Sequence, residues 1–253
     1  MASPKREPVS RRERPAKPAL SRRAIVAAAL GLVRSADSDG LTMRRLAAEL
    51  DTGAASLYVY FEDIDELYAA VLDELLGTIG FGRGRGPWQK RLVSLLASYT
   101  EVLTAYPALA KTALFTRPSG ANSVRLWEAL LALLDEGAIG GRDAAWTVDL
   151  LLQRATATAA EQGVRDRDSR TDAADARVEE VIHHVSPKDH PHLAALSEQL
   201  FTGTPTIRLI WSFEVLLAGL LATPRVENQA DQTANAGAKK EKGAKTGRAR
   251  RRP

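Results

Sequence analysis

The sequence predicts an all-α protein made of a small N-terminal helical domain and a larger C-terminal helical domain. Three observations support this fold class. Apolar residues recur every three to four positions along most of the chain, which is the spacing of one helix face. No segment shows the alternation of apolar and polar residues that is typical of a β-strand. Hydrophobic residues make up 45% of the 253 positions and charged residues 26%, which are ordinary values for a chain that buries a core.

The first helices are predicted from N-cap residues that precede apolar stripes. Ser21 precedes apolar residues at three- and four-residue spacing, and the polar residues 35–40 end this helix. Thr42 begins a second, short helix. A three-residue break that contains Gly53 follows, and a third short helix is predicted at 54–61.

The rest of the chain continues as helices joined by glycine- and proline-containing loops. Asp63 with Glu66 three residues later is typical of a capping box, so a longer fourth helix begins there. The glycine-rich run 77–86 is predicted as a loop, and it lacks the flanking strand and Lys-Ser/Thr pair of a phosphate-binding loop. Residues 163–190 are polar and are predicted as a solvated loop with one short amphipathic piece. The further predicted helices lie at 88–105, 107–115, 123–136, 143–162, 192–200 and 205–222.

The charge is unevenly distributed along the chain. Residues 1–23 carry eight Lys or Arg against two acids, and residues 225–253 carry nine against three. The formal net charge of the whole chain is only +4, so the region between these ends carries −8. Basic ends of this kind bind polyanions such as DNA or RNA, or they simply keep a protein soluble. We expect both ends to be disordered.

The composition excludes several kinds of site. The chain has no cysteine, so disulfide scaffolds, thiolate zinc sites and cysteine nucleophiles are ruled out. No uninterrupted apolar run reaches the roughly 18 residues that a membrane span needs, and the basic start lacks the apolar stretch of a signal peptide. No serine or histidine lies in a recognisable nucleophile pattern. We therefore expect a cytoplasmic protein that is not an enzyme.

Residues 41–61, LTMRRLAAELDTGAASLYVYF, have the spacing of a helix-turn-helix. In that motif the first helix crosses the DNA backbone and the second lies in the major groove, where side chains read base edges. Ala54, Ala55 and Ser56 are small, so the start of the second helix can approach phosphates closely. From the spacing alone, a helical hairpin that only packs remains the alternative.

The segment from Ser21 to Leu75 resembles the N-terminal DNA-binding domain of the tetracycline-repressor (TetR) family of bacterial transcriptional regulators. Its aromatic-rich third helix is the most specific element of the resemblance. More loosely, the final apolar helix and Thr116-Arg117-Pro118 resemble the regulatory domain of the same family. The matching runs are Gly40-Leu41-Thr42, Leu46-Ala47-Ala48-Glu49-Leu50, and Ser56-Leu57-Tyr58-Val59-Tyr60-Phe61 followed by Leu67.

The resemblance implies which residues contact DNA. It places Thr42 and Tyr58 on phosphates and Arg44 on a base edge or a phosphate, and an arginine can form a bidentate contact with guanine. The full set of expected DNA-binding residues is Thr42, Met43, Arg44, Arg45, Thr52, Gly53, Ala54, Ala55, Ser56, Tyr58, Val59 and Tyr60. Four other apolar residues of this segment are expected in the core: Leu46, Leu50, Leu57 and Phe61.

Two departures from the family pattern bear on DNA binding. The family usually has Gly-Val-Ser in the turn, whereas this chain has Asp51-Thr52-Gly53, so Thr52 or the backbone must cap the recognition helix. A phosphate-binding lysine commonly follows that helix, whereas residues 62–66 carry four carboxylates, which oppose phosphate binding. We expect basic residues at the N-terminus to offset this on the DNA backbone or in the minor groove. They are Arg11, Arg12, Arg14, Lys17, Arg22 and Arg23.

In the resembling family, the larger helical domain dimerises through a four-helix bundle and encloses a small-molecule pocket. The predicted helices 143–162 and 205–222 have apolar faces wide enough for that interface, although the same stripes also fit a domain core. The stripe on the first helix is Ala145, Val148, Leu152, Ala155 and Ala159. The stripe on the second helix is Leu209, Phe213, Leu216, Leu217 and Leu220.

The effector pocket is expected to combine aromatic surface with a few polar groups, as ligand sites do. Tetracycline repressors hold a magnesium–drug complex with histidines, but Ala113 stands where one such histidine aligns. The four histidines, within His183–His192, lie in a polar segment interrupted by prolines, which favours a solvated loop over a metal site. We therefore expect no metal and no cofactor. The candidate pocket residues are Phe115, Trp127, Trp146, Gln153 and Thr156.

Together these features predict four segments: a disordered basic arm (1–20), a helix-turn-helix DNA-binding domain (21–67), a helical effector-binding and dimerisation domain (68–224) and a disordered basic tail (225–253). The resemblance implies a homodimeric, sequence-specific repressor that a small-molecule effector releases from a palindromic double-stranded DNA operator, with no membrane partner. The alternatives are a non-specific nucleic-acid-binding architectural protein and a helical protein that only sequesters a ligand.

Overall fold

The structure is a computed structural model that describes residues 20–34, 41–81, 84–116, 119–165 and 169–223. Every regular element within these ranges is a helix, so the all-α prediction is confirmed. The predicted basic tail, and the predicted basic arm apart from Leu20, lie outside the described residues.

Eleven α-helices follow one another in the described part of the chain, with a short 3₁₀ helix at Gln199–Phe201. They are α1 (Arg22–Arg34), α2 (Met43–Glu49), α3 (Ala54–Leu57), α4 (Ile64–Leu76), α5 (Trp88–Thr104), α6 (Pro107–Ala113), α7 (Ala121–Glu136), α8 (Gly141–Arg165), α9 (Ser169–His183), α10 (Pro191–Leu196) and α11 (Pro205–Ala222).

The three predicted N-caps are confirmed. The Ser21 hydroxyl accepts from the Ala24 N–H at 3.2 Å. The Thr42 hydroxyl accepts from the third residue beyond it at 3.1 Å, and the Asp63 carboxylate accepts from the Glu66 N–H at 2.8 Å. Each bond satisfies one of the N–H groups that a helix start leaves without a partner, so these caps fix where α1, α2 and α4 begin.

Two predicted elements differ from the structure. The third helix was predicted to reach Phe61, but α3 ends at Leu57. The Tyr60 N–H bonds to the Leu57 carbonyl at 2.9 Å, a tighter turn than an α-helix makes, and this turn carries the Phe61 ring into the core.

The segment 163–190 was predicted as a loop, but it contains the end of α8 and all of α9. α9 has no wide apolar face, so its sequence lacks the periodicity by which a buried helix is recognised. An ion pair between Arg165 and Asp175 joins α8 to α9.

Helices α1 to α4 share one hydrophobic core, and two close contacts extend it. Leu109 of α6 belongs to the same cluster. α6 in turn packs on α8, where a Cβ on Gly163 would come within 2.6 Å of the Pro107 ring. Only glycine allows α6 and α8 to approach this closely. The fully buried members of the cluster include Ile25, Ala29, Leu46, Leu57, Phe61, Leu67 and Val71.

Residues up to Glu214 group into one compact unit and those from Val215 into a second, so α11 crosses the boundary between them. By length and composition alone, α11 is apolar enough to cross a membrane. The helix also contains Arg208 and Glu214, so the prediction that no uninterrupted apolar run reaches this length is not contradicted. A soluble helix with a broad apolar face has the same composition.

Candidate DNA-binding surface and effector cavity

The turn between α2 and α3 is closed by two backbone hydrogen bonds. The Thr52 N–H donates to the Ala47 carbonyl at 2.8 Å and the Asp51 N–H to the Ala48 carbonyl at 3.1 Å, the pair of bonds that defines a Schellman motif. Asp51 has a φ of 47°, in the left-handed region that favours glycine, and aspartate tolerates it better than most residues. Asp51 thus occupies the place of the glycine in the family pattern.

The start of α3 is capped by the backbone alone. Gly53 is the N-cap residue, and its carbonyl accepts from the Ser56 N–H at 3.0 Å. Of the two alternatives for this cap, Thr52 or the backbone, the structure therefore shows the backbone.

Several of the expected DNA-binding residues lie on the surface around this motif. Tyr58 is 55% exposed and Val59 is 79% exposed. The side chains of Thr42 and Arg44 are also exposed at the start of α2. Exposed large apolar side chains such as that of Val59 often mark an interaction surface. The contacts that these residues make with DNA stay a prediction.

Other expected DNA-binding residues are placed differently from what the sequence suggested. Met43 is 7% exposed and belongs to the core cluster, so its side chain is buried within the protein. Tyr60 is half-buried, and its hydroxyl donates to the Leu20 carbonyl at 2.7 Å. The remaining candidates vary between half-buried and exposed: Arg45, Thr52, Gly53, Ala54, Ala55 and Ser56.

Arg22 joins three parts of this domain instead of standing free for DNA as part of the arm. Its Nη1 donates to the Tyr60 carbonyl at 2.6 Å, and its Nη2 donates to Glu66 Oε1 at 2.8 Å. The guanidinium also lies 4.1 Å from the centre of the Phe61 ring, within the range of a cation–π contact. The positive charge of Arg22 is therefore engaged by contacts within the protein.

The acidic run after α3 is also partly used within the protein. Asp63 caps α4, and Glu66 Oε2 accepts from the Glu62 N–H at 2.6 Å. This backbone hydrogen bond, followed by the bond from Arg22, lowers the pKa of Glu66. Two of the four carboxylates are thus tied to internal donors, so the repulsion expected for a nearby phosphate is smaller than the count of charges suggests.

A cavity of about 350 Å³ lies between α5, α7 and α8. It brings together Phe115, Trp127, Gln153 and Thr156, four of the five residues predicted for the effector pocket. Phe115 is 89% exposed, which places it at the mouth. The other lining residues were not predicted: Leu76, Tyr99, Ala113, Leu114, Ser123, Leu126, Asp149, Leu152 and Ala157. That a ligand binds here stays a prediction.

Polar groups in the cavity wall are arranged in two pairs. The Tyr99 hydroxyl and Thr156 Oγ1 lie 2.9 Å apart in a buried hydrogen bond, and burial raises the pKa of Tyr99. Gln153 Nε2 donates to Asp149 Oδ2 at 2.9 Å. Asp149, Gln153 and Thr156 follow one another at helical spacing on α8, a signal that could have added Asp149 to the predicted set.

Trp146 does not line this cavity, which corrects the prediction. Its side chain is 66% exposed, and the Arg142 guanidinium lies 4.9 Å from its ring centre.

The four histidines are spread over the end of α9, the segment before α10 and the first turn of α10, which contains His192. His183 packs edge-on against Phe201, with the ring centres 6.0 Å apart, and the His184 ring bonds to the Glu180 carbonyl at 2.7 Å. Within the described residues, no group of three His, Cys, Asp or Glu side chains is placed to hold a metal ion.

The apolar stripes expected to form a dimer interface are mostly buried within the protein. Val148, Ala155 and Ala159 of α8 are fully buried, and α8 packs on α5 and α6. On α11, Leu209, Phe213 and Leu217 are buried as well. The structure therefore favours the interpretation of these stripes as domain core over a dimer interface. Other apolar side chains of the two helices are exposed instead: Trp146, Leu150, Ile207, Trp211, Val215 and Leu221.

Two family models match the chain. The model described as bacterial regulatory proteins of the tetR family matches residues 25–71. The model described as the tetracyclin repressor-like C-terminal domain matches residues 82–223. The first match covers most of α1, the helix-turn-helix and the start of α4, and the second covers the chain from α5 to α11, which supplies all the cavity residues except Leu76 of α4.

Two relatives are similar over part of their length. A helix-turn-helix-type transcriptional regulator of Saccharopolyspora erythraea is 33% identical over 132 residues, which are 50% of this chain and 54% of that protein. The class A tetracycline repressor from transposon 1721 of Escherichia coli is 31% identical over 123 residues, 47% of this chain and 56% of that repressor. The chain thus matches about half the length of these two relatives.

Solved structures from Streptomyces coelicolor are similar over most of the chain. A protein described as a transcription regulator is 45% identical, with a TM-score of 0.70 over 84% of this chain and 100% of that one. ActR without ligand is 30% identical, with a TM-score of 0.73 over 81% of this chain and 98% of that one. ActR in complex with actinorhodin gives a TM-score of 0.72 at 30% identity, over 80% and 96% of the two chains. The chain belongs to the TetR family of bacterial transcriptional regulators.

Proposed function

We propose that the protein is a homodimeric repressor that binds a palindromic operator and leaves it when a small molecule fills the cavity. The observation that carries this proposal is the exposed edge formed by the start of α2 and the end of α3, with Thr42, Arg44, Tyr58 and Val59 at the surface. The same compact unit contains the cavity between α5, α7 and α8.

Each exposed residue has a contact that suits its chemistry. The Thr42 oxygen accepts the N-cap bond, so its O–H proton remains free to donate to a phosphate. Arg44 forms a bidentate contact with guanine, and Val59 meets the methyl group of thymine. Tyr58 donates its hydroxyl to a phosphate. The arm upstream of Leu20 adds basic charge along the DNA backbone.

The dimer is proposed to form through exposed apolar side chains of α8 and α11. Ile207, Trp211 and Val215 are exposed at four-residue spacing on α11, and Trp146 and Leu150 are exposed at the same spacing on α8. Exposed apolar side chains that form a contiguous patch mark a protein–protein interface. A two-fold dimer then places two recognition helices about 34–36 Å apart, which is one turn of DNA.

The effector is proposed to be a largely apolar, aromatic small molecule that binds without a metal. Trp127, Phe115 and Leu126 supply apolar surface to the cavity, whereas Thr156 and Gln153 supply hydrogen-bonding groups. The structure of ActR in complex with actinorhodin supports a small-molecule ligand for this chain too. The ligand releases the DNA only if it binds more tightly to the conformation in which the spacing of the two DNA-binding domains does not fit the operator.

Binding-site selection from random double-stranded DNA, followed by titration of variants, tests this proposal. The wild-type protein is expected to select a palindrome and to bind it at least a thousandfold more tightly than unrelated DNA at the same salt concentration. Arg44→Ala should weaken operator binding by about tenfold, since a base contact is worth about 1–3 kcal/mol. Arg177→Ala removes an exposed arginine of α9 and serves as the matched control.

Two results would contradict the proposal. Equal affinity for selected and unrelated DNA, with a steep salt dependence for both, would assign the protein to non-specific nucleic-acid binding. No measurable binding to DNA would leave only a ligand-binding role.

A further inference from the structure

The first turn of α7 is capped by a side chain from another helix. Its N-cap residue, Gly120, has no side chain, and Asp73 of α4 takes over the task. Asp73 Oδ1 accepts from the Ser123 N–H at 2.7 Å and from the Ser123 hydroxyl at 2.7 Å. Asp73 Oδ2 accepts from the Asn122 N–H at 3.3 Å. A carboxylate at a helix N-terminus both satisfies unpaired donors and interacts favourably with the helix dipole.

Two further features hold α4 close to α7. Asn122 Nδ2 donates to the Asp73 carbonyl at 2.9 Å. A Cβ on Gly120 would lie 2.1 Å from Asp73 Cγ, so only glycine fits beside the carboxylate. We call the contacts among Asp73, Gly120, Asn122 and Ser123 the Asp73 clasp.

The Asp73 clasp lies between the cavity and the DNA-binding domain. Ser123, which Asp73 binds, lines the cavity, and so does Leu76, one helical turn after Asp73 on α4. The same helix contributes Val71 and Leu75 to the core cluster that contains Leu57 of the recognition helix. Helix α4 therefore contacts α7 through Asp73 and α3 through the shared core cluster. A shift of α7 can be passed to α3 along this path.

We propose that Asp73 is a positioning residue: it fixes α4, and with it α3, relative to the helices around the cavity, and so sets the spacing of the two recognition helices in the dimer. The inference rests on the proposed function, because it requires a dimer whose two DNA-binding domains occupy the two half-sites of one operator. Asp73 is half-buried, so water replaces its hydrogen bonds when the clasp opens. In this proposed role the clasp opens and closes as the spacing of the two DNA-binding domains changes, since such switching needs an element with two arrangements.

A spacing series of operators tests the proposal. The operator selected by the wild-type protein is remade with one base pair inserted or removed between its half-sites, and Kd is measured for all three by anisotropy. The wild-type protein is expected to lose at least tenfold in affinity at either altered spacing. Asp73→Asn is expected to bind the selected operator about tenfold more weakly than the wild type does. On the two altered operators, its affinity should fall by less than a further threefold. Glu74→Gln, the neighbouring exposed carboxylate of α4, is the matched control and should behave as the wild type.

A second variant opens the clasp from the other side. Gly120→Ala keeps every hydrogen-bonding group but forces a methyl group against the Asp73 carboxylate, so it should flatten the spacing dependence as Asp73→Asn does. Asp73→Ala removes the atoms that this methyl would meet. The double variant Gly120→Ala with Asp73→Ala should therefore be no worse than Asp73→Ala alone, a departure from additivity that marks a direct contact.

The outcomes separate the two proposals. A strict wild-type spacing dependence that both Asp73→Asn and Gly120→Ala retain would overturn the positioning role. Loss of the folded dimer in both variants, shown by thermal unfolding and by mass, would also overturn it, because the clasp would then serve stability alone. A wild-type protein without a preferred sequence or spacing would overturn the proposed function itself.

Discussion

The guanidinium of Arg22 bonds to the Glu66 carboxylate at 2.8 Å and, with its other terminal nitrogen, to the Tyr60 carbonyl at 2.6 Å. One side chain thus joins the first residue of α1 to the turn after α3 and to the first turn of α4. The chain between Leu57 and Asp63 includes two exposed large hydrophobic side chains of the helix-turn-helix segment, Tyr58 and Val59. The Arg22 contacts therefore hold the part of the surface that is proposed to meet DNA.

Arg22→Ala is expected to lower the free energy of unfolding by about 1 kcal/mol. The variant loses a half-exposed ion pair worth up to about 1 kcal/mol and a cation–π contact of about 0.5–1 kcal/mol. Arg23→Ala removes an exposed arginine next to it and should change stability by about 0.5 kcal/mol or less. Chemical unfolding of both variants measures the difference. Equal stability of the two would show that the Arg22 contacts contribute nothing.

Glu66→Gln should remove a pH-dependent part of the stability. The pKa of Glu66 is lowered in the folded protein by the Glu62 N–H and then by Arg22, so its ionised form favours folding. This contribution is fully present above the ordinary carboxyl pKa and is lost as the pH falls through the lower pKa of the folded state. Unfolding at several pH values should show wild type and variant apart at neutral pH and converging in acid. A constant gap across this range would contradict the prediction.

Tyr58→Phe and Tyr60→Phe should separate binding from stability. The Tyr58 side chain is exposed, so loss of its hydroxyl should weaken operator binding about fivefold and leave unfolding unchanged. The Tyr60 hydroxyl donates to the Leu20 carbonyl, so its loss should cost about 1 kcal/mol of stability and little affinity. Anisotropy titration and thermal unfolding measure both effects. Weaker operator binding by Tyr60→Phe together with lower stability of Tyr58→Phe would contradict this assignment of the two tyrosines.

Trp127→Ala should weaken effector binding about tenfold, whereas Trp146→Ala should change it less than twofold. Trp127 lines the cavity, and Trp146 lies on the surface outside it, so the two variants delete the same side chain in and out of the site. A small molecule recovered from a thermal-shift screen provides the ligand, with calorimetry as the measurement. Binding should persist in a chelator. Loss of binding when divalent metal is removed would contradict a metal-free site.

The features that could be predicted from the sequence are those set by nearby residues. Ser21, Thr42 and Asp63 were recognised as N-caps because a cap bonds to an N–H group three residues further on. The cavity residues Gln153 and Thr156 were predicted as polar groups that accompany aromatic side chains, and the structure places both at helical spacing on one face of α8. Trp146 shares that periodicity, but periodicity gives the face of a helix and not how far along its axis the cavity extends.

The features that were missed depend on residues distant in sequence. Arg22 follows a run of basic residues and reads as part of a DNA-binding arm, and only the folded chain brings Glu66, 44 positions away, to its guanidinium. The same holds for the bond between Asp73 and Ser123, which are separated by 50 positions. An aspartate in the exposed-looking part of a helix pattern gives no sign that it caps another helix.

The position of Phe115 has a consequence for how such a regulator changes during evolution. Its ring borders the cavity but is 89% exposed, so replacing it costs the folded protein little. Tyr99 and Thr156, in contrast, are bonded to each other in the interior, where losing either partner is expensive. On the proposed function, substitutions at residue 115 can therefore change which effector binds while the fold and the DNA-binding surface stay the same.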